Sequence, residues 1–289
     1  MNTRREFIKT LLGTAAVGAA APLLSGCHKA AAPVLHLDEI GLQISTIKNM
    51  MKNDYQSALR TVAEIGYKTV EMGTPAGTTI PEFKAFLKEI GLNPLSGGTS
   101  MAQLKSDLDT LLPQAAELGN QFYVCFWPWT DSGENKNVDD WKRVSDDLNA
   151  IGAKVKDAGM RFLYHNHNIE FVSTDGVLPF DVLIQRTDPA LVNFEIDLYW
   201  VKKGGYDPIP FMVTYPGRFP VWHVKDMDNT EDKDFACVGQ GIIDFPAIFA
   251  KSKKAGMEHV LVEHDRPQDE LACIQTSYEY LSNMTYTLD

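Results

Sequence analysis

Cysteine is scarce in this chain: Cys27, Cys125, Cys237 and Cys273 are the four among 289 residues. Their spacings fit neither a disulfide framework nor a zinc knuckle. Long apolar runs are also lacking. No stretch of 18 apolar residues occurs past the first thirty positions, so nothing beyond the N-terminus reads as a membrane span. Positive charge is in deficit, with 27 Lys and Arg against 38 Asp and Glu and a net charge of −11. Such a surface repels phosphate backbones, which argues against nucleic acid as a partner. A GxGxxG frame is missing as well. Gly97-Gly98 is the nearest approach, and an open nucleotide-binding sheet is discounted on that ground. What is present is 44% hydrophobic and 22% charged residues, the balance of one larger globular domain with ample core.

The N-terminus carries an address. Thr3 to Lys9 reads TRREFIK and opens a short apolar segment from Leu11 to Leu24, which resembles a twin-arginine export signal. Leu24-Ser25-Gly26-Cys27 resembles a lipobox, whose cysteine takes lipid and becomes the mature N-terminus. Residues 1–26 are therefore expected to be a signal peptide, 27–37 a tether and 38–289 the folded domain. The expected location is the periplasmic side, with the membrane touched only through the lipid on Cys27. Twin-arginine cargo folds before export in a reducing compartment. Cys125, Cys237 and Cys273 are accordingly expected as free thiols, with Cys125 in the core.

A recurring join organises the folded part. Five times a helical pattern ends in glycine and a strand follows: at Gly66, Gly91, Gly119, Gly159 and Gly256. Glycine closes a helix because it enters the left-handed cap without a Cβ penalty. Eight strands are expected at Ile40–Ser45, Thr69–Met72, Pro94–Gly97, Phe122–Trp127, Arg161–His165, Val192–Ile196, Val221–Val224 and Val260–Glu263. Apolar stripes mark the helices between them. Ala58, Leu59, Val62 and Ile65 form one, Phe83, Phe86, Leu87 and Ile90 a second, and Trp141, Val144, Leu148, Ile151 and Val155 a third. Eight strands alternating with helices imply an α/β fold, a single-domain (β/α)8 TIM barrel.

In such a barrel chemistry sits at the C-terminal ends of the strands. Strand two ends at Glu71 and strand four at Trp127-Pro128-Trp129. Strand five runs into YHNHNIEF, Tyr164 to Phe171. Strands six, seven and eight end in FEIDLYW, VWHVKD and LVEHD. Four consecutive strands thus finish in carboxylate or imidazole, the pattern of a shared divalent-metal site. Glu170, Asp197, His223 and Glu263 are the expected ligands, with His165 or His167 as the alternative on strand five. Three carboxylates and one imidazole form a hard site suited to Mn²⁺ first, and to Mg²⁺, Co²⁺ or Zn²⁺.

These residues resemble the xylose isomerase-like TIM barrels, often called sugar phosphate isomerases/epimerases. The resemblance rests on GYKTVEM, YHNHNIEF, the aspartate of DLYW, HVKD, VEHD and a GxGxxDF-like turn from Gly239 to Phe245. It implies metal ligands on strands five to eight and a small sugar or glycoside as substrate. No clear phosphate cradle is seen, which favours an unphosphorylated one. The implied activity is isomerisation or epimerisation by proton abstraction beside a carbonyl, through an enediolate. Glu263 or Glu170 would take the proton, and His167 or Lys225 would return it. His165, Trp127, Trp129 and Trp200 would face the substrate, with Glu71 orienting a ligand. One departure favours a second outcome. Ketose epimerases carry histidine three residues after the strand-six aspartate, where this chain has Trp200, and HVKD resembles the segment of inosose dehydratases. A lyase acting on a keto-sugar or 3-keto-glycoside is thus an alternative, as is a lipid-anchored sugar-binding protein without turnover.

Overall fold

The computed structural model describes residues 33–131 and 136–289. Eight parallel strands close into a barrel. They are β1 (Gly41–Gln43), β2 (Thr69–Glu71), β3 (Asn93–Ser100), β4 (Phe122–Trp127), β5 (Arg161–His165), β6 (Val192–Asp197), β7 (Val221–Val224) and β8 (His259–Val262). Each pairs with its sequence neighbours, and β8 closes on β1 through Leu261 beside Gly41. All eight expected strands are present, with ends shifted by a few residues. The leader, the lipobox and Cys27 lie outside the described residues.

The long helices of the outer layer are α1 (Lys48–Ile65), α2 (Ile80–Ile90), α3 (Met101–Leu118), α4 (Val138–Asp157) and α5 (Pro179–Arg186). Shorter ones follow: α6 (Leu198–Lys203), α7 (Pro208–Thr214), α8 (Phe245–Phe249) and α9 (Ser252–Ala255), before α10 (Glu270–Asn283). Local chemistry sets their ends. Thr79 and Glu82 form a reciprocal capping box at the start of α2, and Asn137 and Asp140 form another at α4. Asp54 leaves helical geometry within α1 and caps the restart by accepting from the Gln56 and Ser57 amides. All five glycine joins have positive φ, between 75° and 125°.

Two apolar cores result. The larger lies between strands and helices and takes the expected stripes, with Leu59, Val62, Phe83, Leu148 and Val155 fully buried. Each such side chain contributes about 1.5–3 kcal/mol by leaving water. The smaller fills the barrel: Leu95, Phe122, Val124, Leu163, Val221 and Leu261. Strand alternation then dictates what stands above it. His165 is two residues after Leu163, His223 two after Val221 and Glu263 two after Leu261, so these polar side chains follow the same inward face toward the C-terminal rim.

One sequence-based expectation fails in this layer. Cys237 and Cys273 form a disulfide, with Cα atoms 5.3 Å apart, and among the described residues only Cys125 is free. Their separation of 36 positions brings the loop after β7 onto the first turn of α10. Cysteine spacing alone does not reveal that approach.

Candidate metal centre and active site

The strand registers bring the rim together. His165 pairs with Glu195 across β5 and β6, and Asp197 pairs with His223 across β6 and β7. One donor atom from each of His165, Asp197, His223 and Glu263 lies within 4.8 Å of the others, and all four residues are buried. Asn166 fixes the β5–β6 edge: its Oδ1 accepts from the Asp197 amide at 3.0 Å, and its side-chain amide donates to the Asp197 carbonyl at 3.3 Å. Asp197 Oδ1 accepts from the Trp200 amide at 2.8 Å and caps α6.

A second layer lies deeper. His223 Nε2 stands 3.0 Å from Glu71 Oε1 and 3.2 Å from Glu195 Oε2, while its Nδ1 is 2.9 Å from Glu263 Oε2. Glu71 is held by Gln43 Nε2 at 2.8 Å and Ser96 Oγ at 2.6 Å. Glu195 also faces His165 Nδ1 at 3.1 Å. Lys225 is fully buried, with Nζ 2.7 Å from Asp265, 2.8 Å from Glu263 and 3.1 Å from Asp197. These are ion-pair distances, yet Lys225 Nζ and Asp197 Oδ2 lack hydrogen-bond geometry to any partner. Its ammonium also lies over the Trp200 and Phe235 rings, 5.3 and 5.5 Å from their centres. Asp226, next to Lys225 in sequence, is engaged elsewhere. Its carboxylate accepts from the amides of Met227, Gly239, Gly241 and Ile243 and so builds the turn before α8.

Burial and neighbours set the charges. Burial lowers the His223 imidazole, but Glu195, Glu263 and Glu71 outweigh it and hold the ring well above its usual range. Burial works against the Lys225 ammonium, but Asp197, Glu263 and Asp265 push its pKa up. Burial raises the Glu263 carboxyl, yet Lys225 and His223 dominate and hold it ionised. Burial lifts Asp197 to about 6 against the pull of Lys225. Desolvation holds His165 neutral and takes His167 down to about 4, in each case with help from nearby cations.

The structure does not bring Glu170 into the ligand group. The chain turns through a short 3-10 segment, Ile169–Phe171, and points the carboxyl back beside β5. There it accepts from the Tyr164 hydroxyl and, at 2.9 Å, from the His167 amide. Burial pushes its pKa up to about 8. His165, the alternative named on strand five, occupies the place instead. Trp129 is likewise no rim platform. It is buried with its ring 4.5 Å from that of Trp141 on α4. Trp127 and Trp200 flank His167, at centroid distances of 5.3 and 5.6 Å. His167 Nδ1 and Trp200 Nε1 are buried without protein partners. A cavity of about 850 Å³ opens on the β1–β4 side, lined by Gln43, Ser45, Tyr55, Glu71, Met72 and Phe126. Glu195 was not marked by sequence reasoning, although it stands two residues before Asp197 and therefore on the same face.

The donor set fits a divalent cation. It offers carboxylate oxygen and imidazole nitrogen without thiolate. Buried Asp197 Oδ2 and Glu195 Oε1 lack hydrogen-bond partners, and such acceptors are costly unless something completes them.

Comparison with known proteins agrees with this architecture. The xylose isomerase-like TIM barrel family model matches residues 59–284. An inosose dehydratase of Geobacillus kaustophilus is 28% identical over 229 residues, covering 67% of this chain and 74% of the relative. One of Clostridium beijerinckii is 24% identical over 230 residues, covering 73% and 71%. A solved sugar phosphate isomerase/epimerase of Parabacteroides distasonis superposes with a TM-score of 0.73 at 26% identity, covering 84% of this chain and 93% of that one. With the closed eight-stranded barrel and a family match over most of its length, the chain belongs to the xylose isomerase-like TIM barrel family.

Proposed function

We propose that the protein is a divalent-cation-dependent lyase that eliminates water, or an aglycone, from a keto-sugar or 3-keto-glycoside. The observation that carries this reading is the engagement of Glu170 by Tyr164 and the His167 amide. Epimerisation at one carbon needs proton carriers on both faces of the substrate. With Glu170 engaged, Glu263 in the cation group and Lys225 held charged by Asp197, Glu263 and Asp265, His167 is left as the one neutral carrier. Elimination from one face needs a single carrier, which takes the proton and hands it to the departing oxygen. The dehydratase relatives support the same outcome.

His165, Asp197, His223 and Glu263 would hold the cation, Mn²⁺ as first choice with Mg²⁺, Co²⁺ and Zn²⁺ fitting the same donors. When bound, the cation polarises the substrate carbonyl and makes the neighbouring C–H acidic. Neutral His167 accepts that proton. The C–H electron pair becomes a C=C bond as the β C–O bond breaks, and His167 returns its proton to the leaving oxygen. Lys225 stays charged and stabilises the negative charge that builds on the substrate, while Trp127 and Trp200 hold the His167 ring. A sugar isomerase or epimerase is the second reading, favoured by the Parabacteroides structure.

Keto-sugars and 3-keto-glycosides incubated with the enzyme and added Mn²⁺ in deuterated buffer separate the readings. The lyase predicts a product lighter by one water or one aglycone. A product of unchanged skeletal mass carrying deuterium beside the carbonyl establishes the second reading, and binding with neither change leaves a sugar-binding protein. Export and lipidation belong to the same proposal. TRREFIK and LSGC support them. Cys27→Ala is expected to move the protein from the membrane to the soluble fraction. Identical fractionation counts against lipidation.

A further inference from the structure

We infer that Glu195, a carboxylate outside the group of four, positions both histidines of that group, so that His165 presents Nε2 and His223 presents Nδ1 to the cation. The inference rests on the proposed metal site and adds the device that orients it.

Glu195 occupies the inward face of β6, one layer below Asp197. Its Oε2 lies 3.1 Å from His165 Nδ1 and 3.2 Å from His223 Nε2. One oxygen thus meets two imidazoles whose rings are 4.6 Å apart and inclined by 63°. As the one oxygen shared by both rings, Oε2 serves as their common acceptor, so the nitrogen facing it carries the hydrogen and the other nitrogen of the ring is the one with a lone pair to offer. For His165 that leaves Nε2. For His223 both nitrogens face carboxylates, and the identity of the partners separates them. Nδ1 faces Glu263, itself one of the four gathered groups, whereas Nε2 faces Glu195 and Glu71. Glu71 cannot swing away freely, because Gln43 and Ser96 bind its two oxygens. The inner carboxylates therefore keep the Nε2 hydrogen of His223, and Nδ1 is the nitrogen released to the cation.

The arrangement carries a competing possibility. Glu71, Glu195 and His223 also offer donor atoms within 4.8 Å of one another, and they could ligate an ion themselves through Nε2. The test separates the two. Full-length wild type, Glu195→Gln, Glu195→Ala and Asp197→Asn are titrated with Mn²⁺ and with Zn²⁺ against a chromophoric chelator. Their folding is checked by circular dichroism. Long-range proton–nitrogen spectra of the metal-free protein, labelled with ¹⁵N-histidine, read the tautomers. Glu195→Ala is expected to keep one ion per chain with an affinity lower by about 10–100-fold. Glu195→Gln, which retains one acceptor oxygen, falls between it and wild type and carries the test if the alanine variant does not fold. His165 is expected as the Nδ1–H tautomer in wild type and as a mixture in the variants. Unchanged affinity in Glu195→Gln and Glu195→Ala, or an Nε2–H His165 in wild type, overturns the inference alone. Loss of the ion in Glu195→Gln with normal binding in Asp197→Asn makes the inner trio the ligand set and also overturns it. A folded wild type that binds neither metal overturns the proposed metal site, and this inference with it.

Discussion

His165, and not Glu170, stands in the gathered group of four, although YHNHNIEF puts the carboxylate forward as the first candidate. His165 ends β5 and inherits the inward face of Leu163, whereas Glu170 follows a turn that carries it back beside Tyr164. The sequence there offers four polar residues in a row, His165 to Asn168, and Glu170 one residue further on, and only the path of the turn tells them apart. Glu195 is hard to single out in the sequence for a related reason: Asp197 ends the same strand with a second carboxylate, although period-two alternation puts both on one face. Asp197, His223 and Glu263, by contrast, are legible because each stands at or beside the C-terminal end of its strand. The placement of Glu170 has a consequence for stability. Burial raises its pKa from 4.5 to about 8 in the folded state, so folding favours its protonated form. That contribution is fully present below pH 4.5 and is lost as the pH rises through 8. Glu170→Gln keeps the shape and cannot ionise. Its melting temperature is therefore expected to gain on wild type steadily from pH 5 to pH 8, by thermal melts across that range. A constant difference contradicts the assignment.

At the scale of elements, the strands and helix ends follow from short-range rules, and the contacts between elements do not. The glycine joins and the capping boxes at Thr79 and Asn137 are local chemistry that any reading of the chain can find. Gly152 is different. It lies within α4, where alanine is favoured by about 1 kcal/mol on helix propensity alone. Yet a Cβ at this position would sit 2.7 Å from the Leu191 carbonyl oxygen and 3.2 Å from a Val192 methyl, where α4 meets the start of β6. Overpacking of that kind costs about 1–3 kcal/mol, so the steric effect wins. Gly152→Ala is expected to lower the urea midpoint with an unchanged slope. A higher midpoint would show that α4 can step away from β6. The Asp226 turn is a further contact invisible to spacing. The glycines after β7 suggest a tight turn, but nothing in their order says that one carboxylate three residues beyond His223 gathers its amides.

The whole molecule is where a reading of the sequence succeeds most fully, because eight repeats of one strand-and-helix unit leave few architectures open. It fails at the disulfide, since the approach of Cys237 to Cys273 depends on how the loop after β7 folds over α10. Closing a loop of that size stabilises by about 3–4 kcal/mol. In a Cys27→Ser background, thiol titration is expected to find no reactive thiol in the native protein and one, Cys125, after denaturation without reductant. Three are expected once the disulfide is reduced. Burial pushes the Cys125 thiol up to about 12, which keeps it silent in the folded state. Three thiols without reductant would mean that Cys237 and Cys273 are unpaired. The central claim concerns the rim, where the strands deliver His165, Asp197, His223 and Glu263 to one point. Elemental analysis of protein purified without chelator tests it most directly. The expected result is about one divalent ion per chain in wild type and in Glu170→Gln, and none in folded Asp197→Ala. A folded wild type without metal, or an Asp197→Ala variant that retains its ion, would contradict it.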